Sequence, residues 1–156
     1  MKKMQFERVV DTPVGKLTLC ADEGGICALK FGVQSDRTDV SPLLDAARQE
    51  LEEYFAGRRR AFSVPLSIHG TPFQERVWRA LMEIPYGETL SYGELARRVG
   101  NTKAARAVGM ANHVNRLPIF IPCHRVIGVD GRLTGYGGGL EIKRILLETE
   151  GIDVKV

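Results

Sequence analysis

Cysteine, histidine and tryptophan are scarce in this chain: three, three and one among 156 residues. Each shortage excludes something. Cys20, Cys27 and Cys123 are odd in number and form no Cys-x-x-Cys pair, which argues against a disulfide framework and for reduced thiols in a reducing compartment. His69, His113 and His124 are scattered without zinc-ligand spacing, so no metal site is expected. No apolar run approaches the roughly 18 residues of a membrane helix. The opening MKKMQFERVV is basic but interrupted by charge before a signal-peptide core could form. A cytoplasmic protein is predicted, nuclear if its source is a eukaryote, with no membrane partner.

What is present fits a globular chain: 44% hydrophobic and 26% charged residues, enough for one ordinary domain or two small ones. The net charge of +3 is unevenly placed. Residues 1–69 carry 10 basic and 10 acidic side chains, residues 70–156 carry 12 and 9. Within 92–132, Arg97, Arg98, Lys103, Arg106, Arg116, Arg125 and Arg132 face only Glu94 and Asp130. Such a patch is either a solvated face or a site for a polyanion.

The first 32 residues read as a small antiparallel meander: FERVV, KLTLCA and GGICALKFG, separated by DTPVG and by a turn at 22–25. A helix follows, with Ser41 as N-cap, Pro42 in its first turn, Leu43, Leu44, Ala47, Leu51, Tyr54 and Phe55 on one face, and Gly57 as its end. Residues 58–70 lack helical period and read as an extended piece, with Arg58, Arg59 and Arg60 in a solvated turn. The boundary between two domains, 1–68 and 69–156, is placed here.

Beyond it the chain turns helical. Thr71-Pro72-Phe73-Gln74 and Ser91-Tyr92-Gly93-Glu94 are capping boxes. The first opens a helix burying Phe73, Val77, Ala80, Leu81 and Ile84, with Trp78 in the core; the second opens YGELARRV. Gly100-Asn101-Thr102 breaks that helix and KAARAVGMANHVN begins another, a helix-turn-helix pattern that any αα-hairpin also shows. The second helix is nearly bare, with Ala104, Ala105, Ala107, Gly109 and Ala111, which suits either tight helix packing or close approach to another surface. Arg106 in its middle favours nucleic acid. A last helix over 140–151 is expected to bury Leu140, Ile145, Leu146 and Thr149, with Glu150 at the end where the helix dipole disfavours a carboxylate.

Cys123 sits in IPCHRVIG, between Pro122 and His124. Only a thiolate attacks, so a reactive cysteine needs a base or a positive environment, and His124 and Arg125 are residues of those types. In extended backbone, neighbours point to opposite faces. Cys123 and His124 can therefore cooperate only through a bend or a bridging water. The alternative is a small core residue.

SYGELA, KAARAVGMAN, PCHRVIG and YGGGLEIKRILLETEG, in this order over about 71–151, resemble the 6-O-alkylguanine-DNA alkyltransferases, the methylated-DNA–protein-cysteine methyltransferases. The resemblance implies an α+β fold: a small N-terminal antiparallel sheet-plus-helix domain, ribonuclease H-like, before a helical domain with a helix-turn-helix. It implies repair by direct reversal, in which double-stranded DNA is bound through its minor groove and an alkylated guanine is flipped out. The methyl or alkyl group then passes irreversibly to the protein's own cysteine, with 4-O-methylthymine as a second candidate lesion. Cys123 would accept the group, His124 would act as base through a water, Glu150 would orient the imidazole, and Asn115 would order the loop and its hydrogen bonds. Tyr92 would press on the phosphate and donate a proton to the leaving base, and Arg106 would fill the vacated space. Ala105, Ala107 and Gly109 would let DNA approach, while Val126, Tyr136 and the Gly137 backbone would form the pocket. No cofactor is implied, and a monomer is. Arg116 stands where many members carry proline and adds a candidate phosphate contact; Gly137 stands where some carry serine. The zinc ligands of some larger relatives have no match.

Three rivals are a non-catalytic sensor of alkylated guanine, a helix-turn-helix regulator with a structural cysteine, and a cysteine hydrolase. The retained Cys123, the His124–Glu150 pair and the small-residue basic helix weigh against them in turn.

Overall fold

The computed structural model describes residues 5–131, 133 and 135–154. The fold is α+β, and the chain divides into two compact units, Met1–His69 and Gly70–Val156.

In the first unit, β1 (Phe6–Thr12), β2 (Gly15–Asp22) and β3 (Gly25–Phe31) form an antiparallel sheet in sequence order. Phe6 pairs with Ala21, Leu19 with Leu29, and a bulge interrupts the ladder at Cys20/Ala21. Helix α1 (Pro42–Phe55) starts at Ser41, whose hydroxyl accepts from the Leu44 N–H, with Pro42 in the first turn. Its buried stripe includes Leu44, Ala47, Leu51 and Tyr54, which meet the sheet residues Leu17, Leu19 and Ile26 in one apolar core. Residues 65–67 run beside β3: Ile26 N–H donates to Pro65 O and Ser67 N–H to Ile26 O. Gly25 is required here, because a Cβ would lie 2.4 Å from Pro65 O.

Glu50 is a buried carboxylate on α1. It accepts from the Ser63 N–H (2.9 Å), the Ser63 hydroxyl (2.5 Å) and the Val64 N–H (3.3 Å), and so ties the extended segment to the helix. Arg59 ion-pairs with Glu53 at 2.8 Å, so it is not part of a purely solvated arginine turn as expected. Glu50→Ala leaves the buried Val64 amide and the more exposed Ser63 amide without their acceptor and should destabilise this unit by about 1–3 kcal/mol. Chemical denaturation followed by circular dichroism measures this, and Glu50→Gln should lose less.

The second unit holds α2 (Pro72–Met82), α3 (Tyr92–Arg98), α4 (Ala105–His113) and α5 (Leu140–Thr149), with the two-residue strands β4 (Leu90–Ser91) and β5 (Val126–Ile127) pairing in parallel. Both capping boxes form. Trp78 on α2 donates from its indole to Ala111 O on α4 at 2.9 Å. Helix α4 begins two residues later than expected, because the Asn101 carboxamide accepts from the Lys103 N–H and Ala104 N–H donates to Asn101 O, closing a turn first.

Helix α5 corrects the expected burial. Leu140 is exposed, Ile145 and Thr149 are half-buried, and the buried residues are Lys143, Leu146 and Leu147, followed by Glu150. Its inner face thus carries a cation and an anion, both of which have partners near Cys123. Among the described residues no helix is long and apolar enough to cross a membrane.

Candidate active site

Ile121 to Val126 makes two tight bends. Pro122 (φ −78°, ψ 64°) is the centre of an inverse γ-turn in which Cys123 N–H donates to Ile121 O at 2.7 Å. A single 3₁₀ turn, Cys123–Arg125, follows. The bend that extended geometry lacked is therefore built, and it sends three consecutive side chains into the buried interior.

His124 Nε2 lies 2.7 Å from Glu150 Oε2, with both side chains fully buried. Arg125 donates to the same carboxylate from Nε (2.8 Å) and Nη2 (3.1 Å), and from Nη1 to Ile84 O (2.6 Å). The Gly87 N–H adds a fourth bond to Glu150 at 3.0 Å. Burial alone would raise the Glu150 pKa. The hydrogen bond and charge of His124, then Arg125 and the Gly87 amide, overcome it and hold the carboxyl at about 2. The position beyond the last turn of α5 is thus favourable for Glu150 despite the helix dipole. For His124, burial outweighs Glu150 and depresses the pKa, with Arg125 and Lys143 adding repulsion. A neutral imidazole that donates its Nε2–H to Glu150 in a hydrogen bond carries its lone pair on Nδ1.

Burial pushes the Cys123 thiol up to about 11. Asn115, the charge of Lys143, the cysteine's own N–H and Tyr136 work in the opposite direction. Lys143 has no exposed surface, donates to Val126 O at 2.7 Å, and is driven down to about 8 by burial, with Cys123 pulling it upward. One expectation changes here. The cation beside the thiol is Lys143, not Arg125, whose charge is spent on Glu150. Sequence reading missed Lys143 because a lysine on the apolar stripe of a helix reads as exposed; its i+3 and i+4 spacing to Leu146 and Leu147 was the available signal.

Asn115 both shapes and serves the site. Its Oδ1 accepts from the Leu117 N–H and its Nδ2 donates to Ile121 O, each at 2.9 Å. Leu117, Pro118, Ile119 and Phe120 are buried, and Ile119 adopts φ 76°, a strained value for a β-branched residue. The loop is held this way with Arg116, not a proline, directly after Asn115. Arg116 itself is exposed.

The β4–β5 pairing, Leu90 with Val126 and Ser91 with Ile127, sets the start of α3 beside the segment that follows Cys123. This pair was not anticipated, since two-residue strands leave no sequence pattern. Tyr92 follows directly, and its ring lies over Gly109, where an added Cβ would meet Cδ1 at 3.8 Å. Val126 is buried, Tyr136 half-buried and Gly137 exposed. Arg106 and Ala107 are on the open face of α4, with Ala105 half-buried; Arg132 lies outside the described residues. Among the described residues no group of three or more histidine, cysteine or carboxylate side chains could hold a metal.

Residues 72–152 match the family model described as 6-O-methylguanine DNA methyltransferase, DNA binding domain. The chain belongs to the methylated-DNA–protein-cysteine methyltransferase family. Residues 6–68 match the ribonuclease-like domain of the same methyltransferases. The constitutive methylated-DNA–protein-cysteine methyltransferase of Bacillus subtilis is 48% identical, over 97% of this chain and 99% of its own. That of Methanosarcina acetivorans is 46% identical, over 94% and 98%. The O6-methylguanine methyltransferase of Mycobacterium tuberculosis superposes with a TM-score of 0.86 at 47% identity, covering 94% of this chain and 93% of that one. A Mycobacterium tuberculosis structure described as OGT in complex with DNA gives 0.85 at 46% identity and the same coverage. In this member of the methyltransferase family, His124, Arg125 and Glu150 form one hydrogen-bonded network directly after Cys123.

Proposed function

We propose that this chain repairs DNA by direct reversal, moving the alkyl group of a 6-O-alkylguanine in duplex DNA irreversibly onto the Cys123 sulfur. The observation that carries it is the buried Cys123 bracketed by Lys143, Asn115 and Tyr136, one residue from a His124–Glu150–Arg125 network.

The helix-turn-helix of α3 and α4 presents Arg106, Ala105 and Ala107 to the minor groove, with Gly109 beneath Tyr92. The lesion is flipped out, at a cost least for a poorly paired base. Arg106 fills the gap, Tyr92 presses on the adjacent phosphate, and Val126, Tyr136 and the Gly137 backbone receive the base. The thiol proton passes through a water to His124 Nδ1, since Nε2 is engaged by Glu150. The thiolate attacks the alkyl carbon, the carbon–oxygen bond breaks, and its electron pair moves into the purine as Tyr92 supplies a proton. Sulfur ends as a thioether with no leaving group, so each molecule acts once. The protein works as a monomer in the cytoplasm, or in the nucleus of a eukaryote.

Intact mass after incubation with a duplex containing one 6-O-methylguanine tests this. One methyl group replacing one hydrogen, stoichiometric with DNA, mapped to Cys123 and absent in Cys123→Ala, is the expected result. Tight lesion binding with no mass gain would instead indicate a non-catalytic sensor.

A further inference from the structure

We propose that Cys20 and Cys27 are a reversible redox pair, closing into a disulfide across β2 and β3 when the protein meets an oxidised low-molecular-weight thiol. The proposal concerns the first unit alone and does not depend on the repair reading.

Cys20 pairs with Ala28, so in a regular ladder Cys27, the next residue along β3, would face the other way. The bulge at Cys20/Ala21 reverses this. Leu29 pairs with Leu19 and Ile26 with Ala21, and all four are buried on the face that packs on α1. Leu29 and Ile26 are an odd number of positions apart, so both residues between them, Cys27 and Ala28, turn to the opposite face. That is the face of Cys20. A bulge sets two residues against one, here Cys27 and Ala28 against Cys20. Facing residues on neighbouring strands have Cα atoms about 4.5–5.5 Å apart, within the roughly 4.4–6.8 Å that a disulfide spans.

The surroundings give the two thiols different parts. Cys27 is half-buried and open to a small reagent, whereas Cys20 is buried. The Cys20 thiol donates to Glu7 Oε1 at 3.7 Å. Burial first and then the Glu7 charge push it up to about 11, with Lys30 opposing and Cys27 adding to the rise. Cys20 therefore stays protonated toward solvent and reacts with a sulfur placed beside it.

With oxidised glutathione as the reagent, the Cys27 thiolate attacks one sulfur, the glutathione S–S bond breaks, and one glutathione thiolate leaves. Cys20 then attacks the Cys27 sulfur of the mixed disulfide, and the second glutathione leaves. The Cys20 proton passes out to a departing glutathione thiolate. Two protein thiols are oxidised and one glutathione disulfide is reduced to two thiols.

The test is to equilibrate the folded full-length chain with excess oxidised glutathione and map it by mass. Trypsin cleaves after Lys16 and Lys30, so both cysteines leave in one peptide, 17–30. In the parent this peptide should lose two hydrogens, carry no glutathione, and regain the hydrogens with a dithiol reductant. Cys20→Ala should hold one glutathione on Cys27, since nothing resolves the mixed disulfide. Cys27→Ser should leave the peptide unmodified, and because Cys27 is half-buried this variant keeps the fold and carries the test by itself. A parent peptide that keeps its thiols, or keeps glutathione on Cys27, overturns the proposal. So does a bond that forms only once the chain is unfolded in urea.

Discussion

Glu150→Gln should lower the rate of methyl transfer by about a thousandfold or more while leaving affinity for unmodified duplex DNA nearly unchanged. The carboxylate accepts four hydrogen bonds, from His124, twice from Arg125, and from Gly87. A carboxamide of the same shape has one acceptor oxygen and a nitrogen that donates. Turned toward His124, that nitrogen selects the tautomer whose proton sits on Nδ1, the wrong nitrogen for a base. Turned toward Arg125, it sets donor against donor and leaves a guanidinium buried without its counter-charge, which costs about 3–5 kcal/mol. Rapid-quench transfer assays and thermal melts separate the two effects.

The pH dependence gives this prediction a second readout. The folded pKa of Glu150 is depressed to about 2 from 4.5, so its stabilisation is complete above about 4.5 and is lost as pH falls toward 2. His124 is also depressed, so the unfolded chain takes up that proton first and stability begins to fall below the ordinary histidine range. The parent should therefore lose stability on acidification in two stages. Glu150→Gln should lack the lower one. Identical acid profiles for the two proteins would contradict the network.

Lys143→Met should slow transfer by about a hundredfold, the scale of removing one preorganised charge from a developing anion, with little loss of folding stability. The substitution replaces a fully buried cation with an apolar chain of similar length, so the desolvation penalty disappears along with the bond to Val126 O. The expected pattern is a slow enzyme that melts near the parent temperature. Cys123 titrates at about 11 and Lys143 at about 8, so between those values the pair shares one proton. The thiolate–ammonium form is the minor tautomer of that one-proton state, and its fraction is constant across the window. In the parent the rate should rise with pH and level off from about 8; without Lys143 it should keep rising toward 11 and beyond.

Stability against pH carries the opposite signature. A lysine depressed from 10.5 to about 8 is protonated in the unfolded chain but not in the folded one between those values, so stability rises with pH there. The raised cysteine opposes it between 9.0 and about 11, where only the folded chain keeps its proton. Lys143→Met should remove the rise and leave the fall. A variant with unaltered rate and unaltered profile would show that the lysine only fills space.

The local elements were legible because their signals are local. Ser41-Pro42, Thr71 to Gln74 and Ser91 to Glu94 specify helix starts through bonds spanning three residues, and those bonds form. Alternation and turn residues likewise determined the meander of β1 to β3. The motif around Cys123, with its ordered companions, was enough by itself to indicate the family.

Tertiary structure decided which charges meet. Glu150 and His124 are 26 positions apart, and nothing local states that Arg125 shares the same carboxylate while Lys143 takes the place beside the sulfur. The parallel pairing of Leu90 with Val126 joins positions 36 apart through two-residue strands that have no periodicity. Sequence patterns report how a residue sits on its own helix or strand. The ionisation of a buried cysteine depends on desolvation and on charges a few ångströms away, and those are fixed only when distant segments pack.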